Sequence, residues 1–194
     1  MSLRGTRVAI LVEDLYQDQE VWYPLYRLKE AGAEVVTVGT GRKSEFKGKY
    51  GIPLIADVTA EQVSAGEFDA VIVPGGYAPD LLRRYDPVLR LVREADAQGK
   101  VIAAICHAGW VLVSAGILKG RTMTCFAAIK DDIVNAGAKY LDREVVIDGN
   151  LITSRTPDDL PMFAAAIVDA LMVRAANGRQ ASPVRKTSLR ASKR

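Results

Sequence analysis

Short apolar runs alternate along this chain with longer stretches in which apolar residues recur every three or four positions. Val8-Ala9-Ile10-Leu11-Val12, Glu34-Val35-Val36-Thr37-Val38, Asp69-Ala70-Val71-Ile72-Val73 and Val101-Ile102-Ala103-Ala104-Ile105 show no in–out alternation, which predicts strands buried on both faces. Between them the helical period takes over. Asp18 is placed to cap a helix that ends near Gly32, with Val21, Leu25 and Leu28 on one face. Residues 79–97 read as helix, broken near Asp86-Pro87, residues 107–115 as helix stopped near Gly116, and residues 158–176 as a last amphipathic helix. Residues 40–60 mix glycine, lysine and short apolar stretches and are expected to form a β-hairpin excursion. Asp148-Gly149-Asn150 is the expected turn of a second hairpin, between Glu144–Ile147 and Leu151–Thr153.

Repeated strand–helix alternation predicts an α/β domain with a mostly parallel sheet and helices on both faces. Such sheets bind ligands beyond the carboxyl ends of their strands. That rule selects three turns, residues 13–20, 74–80 and 106–110, and the search for chemistry starts there.

The third turn carries the sharpest signal. Ala104-Ile105-Cys106-His107-Ala108-Gly109 delivers a cysteine from a buried strand directly onto a helix start, with small neighbours that permit a tight turn. Partial positive charge at a helix start favours thiolate over thiol. The alternative is an inert, buried cysteine packed as a small hydrophobe. His107 is the one histidine in the chain. Adjacent side chains diverge, so contact between His107 and the Cys106 sulfur is not expected, although its ring could move protons and its N–H bind an oxyanion. In Pro74-Gly75-Gly76, glycines at a strand end let backbone N–H groups approach a ligand. Glu20 sits in the first turn of the first helix, four residues before Pro24, which denies its carbonyl an intrahelical donor. Two readings of Glu20 stand side by side. A buried carboxyl beside the cysteine would have its pKa raised and could exchange a proton with it. An exposed glutamate at a helix start, the reading that pattern alone favours, would need no function.

Composition narrows the field. The chain has 194 residues, 49% apolar and 25% charged, enough for one domain with a sizeable core. No apolar run reaches the roughly 18–20 residues of a membrane span. The N-terminus lacks a secretory layout, so a cytoplasmic protein is expected. Two separated cysteines and one histidine give neither a disulfide framework nor metal-ligand spacing, and no cofactor is implied. No phosphate-binding glycine motif and no G-x-S-x-G occurs. The net charge of +3 comes from the end of the chain. Residues 178–194 hold six of the 26 basic residues and no acidic one, leaving 20 against 23 in the body. Residues 1–177 are therefore expected to form the domain and 178–194 an extended basic tail, with nucleic-acid binding the less favoured use of it.

Val73-Pro74-Gly75-Gly76, Ile105-Cys106-His107-Ala108-Gly109, the run Ile129-Lys130-Asp131-Asp132 through Asn135-Ala136-Gly137, and Asp148-Gly149-Asn150 followed by Ser154-Arg155 occur in an order and spacing that resemble the PfpI family. This is the intracellular-protease-like branch of the DJ-one superfamily, related to class I glutaminase domains. The resemblance covers roughly residues 6–173. It implies a flavodoxin-like three-layer sandwich with Cys106 as nucleophile at an elbow. It makes Glu20 the hydrogen-bond partner of the cysteine, and Gly75, Gly76 and the His107 amide the anion-binding elements. Asp80, supplied by a neighbouring subunit, matches the acid of a Cys–His–acid arrangement, in place of the glutamate of archaeal relatives. Phe126 replaces a tyrosine of those relatives, and Trp110 thickens the pocket wall. Cys125 is either a resolving thiol or a packed residue. Family members form homodimers, some of them hexameric rings. The implied activity is stress-protective hydrolysis at carbonyl or amide groups: deglycase or glyoxalase-like removal of methylglyoxal and its protein adducts. Substrates would be small carbonyls or glycated or unfolded proteins. An intracellular cysteine peptidase and a non-enzymatic redox sensor or chaperone are the alternatives.

Overall fold

The computed structural model describes residues 2–181. Its elements run β1 (Arg7–Val12), α1 (Asp18–Glu30), β2 (Glu34–Gly39), β3 (Glu45–Lys47), β4 (Pro53–Ile55), β5 (Val58–Thr59) and β6 (Ala70–Val73). They continue α2 (Ala78–Leu82), α3 (Asp86–Ala97), β7 (Val101–Ile105), α4 (Gly109–Ala115), β8 (Thr122–Met123), α5 (Lys130–Asn135), β9 (Lys139–Tyr140), β10 (Val145–Asp148), β11 (Leu151–Ser154) and α6 (Leu160–Ala181).

Seven strands form the main sheet in the order β10-β11-β7-β6-β1-β2-β5. Every pairing is parallel except that of β10 with β11. Val8–Val12 and Ala70–Val73 have no exposed surface, as unbroken apolar runs require of central strands. Helices α1 and α6 pack together on one face, and α2, α3 and α4 cover the other, which gives the three-layer sandwich. After β1 the chain lays β2 on one side, then returns to lay β6 on the other. The order reverses between β1 and β6, so a crevice opens at their carboxyl ends.

Both hairpins form where the turn residues predict them: β3 pairs with β4 and β10 with β11, the second closing at Gly149 with φ +61°. The helix break at residues 83–85 also matches. Other boundaries shift. Asp18 does not cap α1. Gln17 occupies that position, and the Asp18 carboxylate reaches across to accept the N–H groups of Tyr50 (2.9 Å) and Ile52 (3.3 Å). A long-range demand for backbone acceptors displaced the local capping role. Helix α6 runs on to Ala181, past the expected start of the tail, and residues 182–194 lie outside those described.

Candidate functional site

Three turns converge on the crevice. Cys106 follows β7 at φ +61°, a left-handed conformation that a side-chain-bearing residue adopts at a cost. The turn lifts the sulfur out of the sheet and starts a 3-10 turn over Cys106–Ala108 that leads into α4. Gly109 behind it packs against Ile133, whose Cδ1 lies 2.7 Å from where a Cβ would be, so a larger residue would make that side chain shift.

The Gly75-Gly76 pair fits the second turn against the first. A Cβ on Gly75 would sit 2.6 Å from the Cys106 Cβ and 2.7 Å from Glu20 Oε2. Gly76, at φ +78°, has Leu15 O 2.4 Å from where its Cβ would be. Backbone bonds stitch the turns together: Gln17 N–H donates to Gly75 O at 3.1 Å and Tyr77 N–H to Leu15 O at 2.9 Å.

Glu20 is fully buried, so the exposed reading favoured by pattern alone is wrong. Its Oε2 accepts the Gly75 N–H at 2.6 Å. That bond corrects the role expected of Gly75: its amide is committed to Glu20, while the amides of Gly76 and His107 act to lower the pKa of the Cys106 thiol. His107 is the second correction. Its Nδ1 lies 3.2 Å from Cys106 Sγ, although the residues are adjacent. The imidazole stacks on Phe126 (4.9 Å between centroids) and meets the edge of Trp110 (5.1 Å). Burial, then the nearby Lys49 ammonium, holds its pKa below the ordinary value and keeps it neutral.

Protonation of the pair is set by burial. Glu20 is pushed up to about 7 by desolvation, against the Gly75 and Cys106 hydrogen bonds and Lys49. The Cys106 thiol is pushed up to about 12, first by burial and then by the Glu20 carboxylate, while the two amides pull it down. Charge at the helix start is therefore outweighed, contrary to expectation. The two groups titrate as one system that holds two protons below about pH 7 and one above it. Moving the remaining proton from sulfur to Glu20 leaves the net charge unchanged, so the thiolate is reached without a buried charge being added.

These groups open into a cavity of about 390 Å³. Trp110, Phe126 and His107 form an aromatic wall, with Leu15, Gln17 and Lys49 among the residues opposite. Asp80 does not line it: within its own chain it pairs from α2 with Arg84, which follows that helix. Cys125 is buried and does not line the cavity, so it stands as a packed cysteine. Sequence reasoning missed Leu15, Gln17 and Lys49. Leu15 stands at φ +62°, which nothing in its sequence context announces, and Lys49 arrives on the β3–β4 turn, whose register against residues 14–18 is a tertiary fact. Among the described residues no cluster of three histidine, cysteine or acidic side chains could hold a metal ion, and no helix is long and apolar enough to cross a membrane.

The chain is 43% identical over 165 residues to a deglycase of Pyrococcus abyssi, covering 85% of this chain and 99% of the relative. It is 40% identical over 159 residues to protein/nucleic acid deglycase 2 of Escherichia coli, covering 81% and 92%. A two-domain crystal structure from Anabaena variabilis, with DJ-1/ThiJ/PfpI-like and ferritin-like domains, superposes with a TM-score of 0.83 at 43% identity. The match covers 95% of this chain and 52% of that one, so this chain spans about half its length. The family model matches residues 6–170, nearly all of the sandwich including every turn of the site, and the chain belongs to the DJ-1/PfpI family.

Proposed function

We propose that the protein is a cysteine-dependent deglycase: a stress-protective hydrolase that frees amines and thiols from methylglyoxal adducts and turns free methylglyoxal into lactate. One observation carries the reading. Cys106 lines a cavity of about 390 Å³, with a buried carboxyl of pKa about 7 nearby and an imidazole nitrogen 3.2 Å from its sulfur. The names of the relatives support it.

Chemistry follows from those positions. The Cys106 proton passes to Glu20, and the thiolate attacks the hemiaminal carbon of an adduct. A C–S bond forms, the C–N bond breaks, and the amine leaves with a proton from Glu20. Glu20, now ionised, takes the hydrogen of the hemithioacetal carbon as a general base. The resulting enediolate oxygen faces the Gly76 and His107 amides. Returning the proton to the neighbouring carbon gives a lactoyl thioester, which water cleaves to lactate and free thiol. The aldehyde-level carbon is oxidised and the ketone carbon reduced, so no external oxidant or cofactor enters.

The protein acts in the cytoplasm as a homodimer or a hexameric ring, with Asp80 supplied in trans. A cavity of about 390 Å³ argues against a peptidase with an extended groove. The test is incubation with methylglyoxal and with methylglyoxal-treated N-acetylcysteine. Lactate and released thiol should accumulate over many turnovers and vanish in Cys106→Ala. Absence of both products from the unsubstituted protein removes the reading.

A further inference from the structure

The cavity is electrically lopsided. Among its described lining residues Lys49 is the one with a permanent charge. Among the described residues no carboxylate lies within salt-bridge distance of the ammonium of the exposed Lys49. Its one recorded contact of this type is with the Tyr50 ring, 5.5 Å away.

Its position is built. The Lys49 N–H donates to Tyr16 O at 2.7 Å, and the flanking amides of Tyr50 and Ile52 donate to the Asp18 carboxylate. The Tyr16 hydroxyl donates to Ile52 O at 2.6 Å. Gly48 is pressed so closely on Asp18 that a Cβ would lie 2.2 Å from Oδ1. The β3–β4 turn is thus clamped to the loop before α1, with Lys49 at the cavity. A second polar group lies in the same lining. Gln17 is 9% exposed, and its Oε1 has no hydrogen-bond partner among the described residues. A buried acceptor left unmatched costs stability unless a ligand satisfies it. The field of Lys49 reaches the reacting groups, since it lowers the pKa of both Glu20 and His107.

We propose that Lys49 selects carbonyl adducts whose carrier is anionic, an amino-acid carboxylate or a nucleotide phosphate, by holding that charge at the cavity while Cys106 meets the carbonyl carbon. Gln17 Oε1 accepts the hydroxyl or N–H of the same adduct. This specificity rests on the deglycase reading for its substrate, but the electrostatic selection can be measured without turnover.

Iodoacetate and iodoacetamide are nearly the same size and differ by one negative charge, so the ratio of their Cys106 alkylation rates reads the field in the cavity and cancels any change in thiolate fraction. Lys49→Met should lower the iodoacetate-to-iodoacetamide ratio about fivefold at low ionic strength, an effect of one charge at close range through partly screened surroundings. Lys49→Arg should restore it, and high salt should shrink the difference. An unchanged ratio in Lys49→Met overturns the proposal. Turnover of matched carriers then names the source of the anion. Methylglyoxal adducts of N-acetylcysteine against its amide test the carboxylate, and adducts of guanosine monophosphate against guanosine test the phosphate. A higher kcat/KM for the anionic member of either pair, lost in Lys49→Met, supports that carrier. Equal values within both pairs overturn the proposal. If no adduct is turned over, the deglycase reading fails by itself, and the alkylation ratio still decides the role of Lys49.

Discussion

Cys106 and Leu15 are the two described residues other than glycine at positive φ, and both border the same cavity. At Cys106 the conformation has a chemical use, because it sets how the residue leaves β7 and brings its Cβ against Gly75, whose amide holds Glu20. Strain of this sort costs on the order of 1 kcal/mol or more, and only glycine escapes it. Cys106→Gly should therefore be at least as stable as Cys106→Ala, reversing the usual order, in which glycine is worse by about 0.5–1 kcal/mol. Urea unfolding of the two variants reads the difference directly, and a clearly less stable glycine variant would show that the turn carries no strain. Gly75 makes the opposite demand. With a Cβ placed 2.6 Å from the Cys106 Cβ and 3.0 Å from the Ile105 carbonyl, Gly75→Ala has rigid neighbours on both sides. It should cost about 1–3 kcal/mol as overpacking and reduce lactate formation by more than tenfold, by parting Glu20 from Cys106. Near-normal stability together with near-normal turnover would refute that account. The sequence announced the residue types here, since a cysteine at a strand end and paired glycines are visible in one dimension. It did not announce which amide bonds which group. Gly75 serves Glu20 rather than an oxyanion because the loop before α1 closes down on it, a contact between positions 55 apart.

The β3–β4 hairpin shows how one element positions another. Its composition made an excursion legible, yet its purpose lay in the partner surface. Asp18 was read as a helix cap because aspartate before an apolar-periodic stretch usually is one. The carboxylate instead holds the turn that carries Lys49. Asp18→Asn keeps the shape and removes the charge from two charge-assisted hydrogen bonds, so it should destabilise the protein by about 1–2 kcal/mol. The loss should be local. Amide exchange should quicken at residues 47–52 while the amides of β1 and β6 keep their protection. Uniform loss of protection across the sheet would mean that the clamp belongs to the global core. Helix α1 was easier to read, because its apolar face follows the helical period. Pro24 marked it as unusual, and the burial of Glu20, the residue whose carbonyl the proline leaves without its donor, is consistent with a helix start shaped by the site rather than by propensity.

At the scale of the molecule, the parallel core was legible because four apolar runs without alternation have few other solutions, and the position of the crevice followed from the order in which such strands are laid down. What no run of residues could reveal is that the fold encloses a titratable pair and thereby links its stability to pH. In the folded protein Glu20 holds its proton up to about pH 7, whereas an exposed glutamate releases it near 4.5. Between those values the folded state binds more protons than the unfolded chain, so stability falls as pH rises through this window. At roughly 1.4 kcal/mol per pH unit the whole change amounts to about 3 kcal/mol. Above pH 9 the thiols add to it in the same direction, because Cys106 and Cys125 stay protonated when folded up to about 12 while unfolded thiols ionise near 9. The carboxylates with lowered pKa, Asp14 and Glu67, act oppositely and only at acid pH: their contribution is complete above the ordinary carboxylate range and is lost as pH falls below it. His107 titrates in the interval from 5 to 8 with the opposite sign, because its lowered pKa makes the folded state lose stability as pH falls below the ordinary histidine value. It is common to the native protein and to Glu20→Gln, so the difference between the two isolates Glu20. Across this interval the unfolding free energy of the native protein should drop by about 2–3 kcal/mol relative to that of Glu20→Gln, whose amide cannot ionise. Parallel curves for the two proteins would show that Glu20 is already ionised at pH 5. In that case the carboxylate would be a far weaker base than transfer of the thiol's proton near neutrality requires, and the mechanism proposed for Cys106 would lose its proton acceptor.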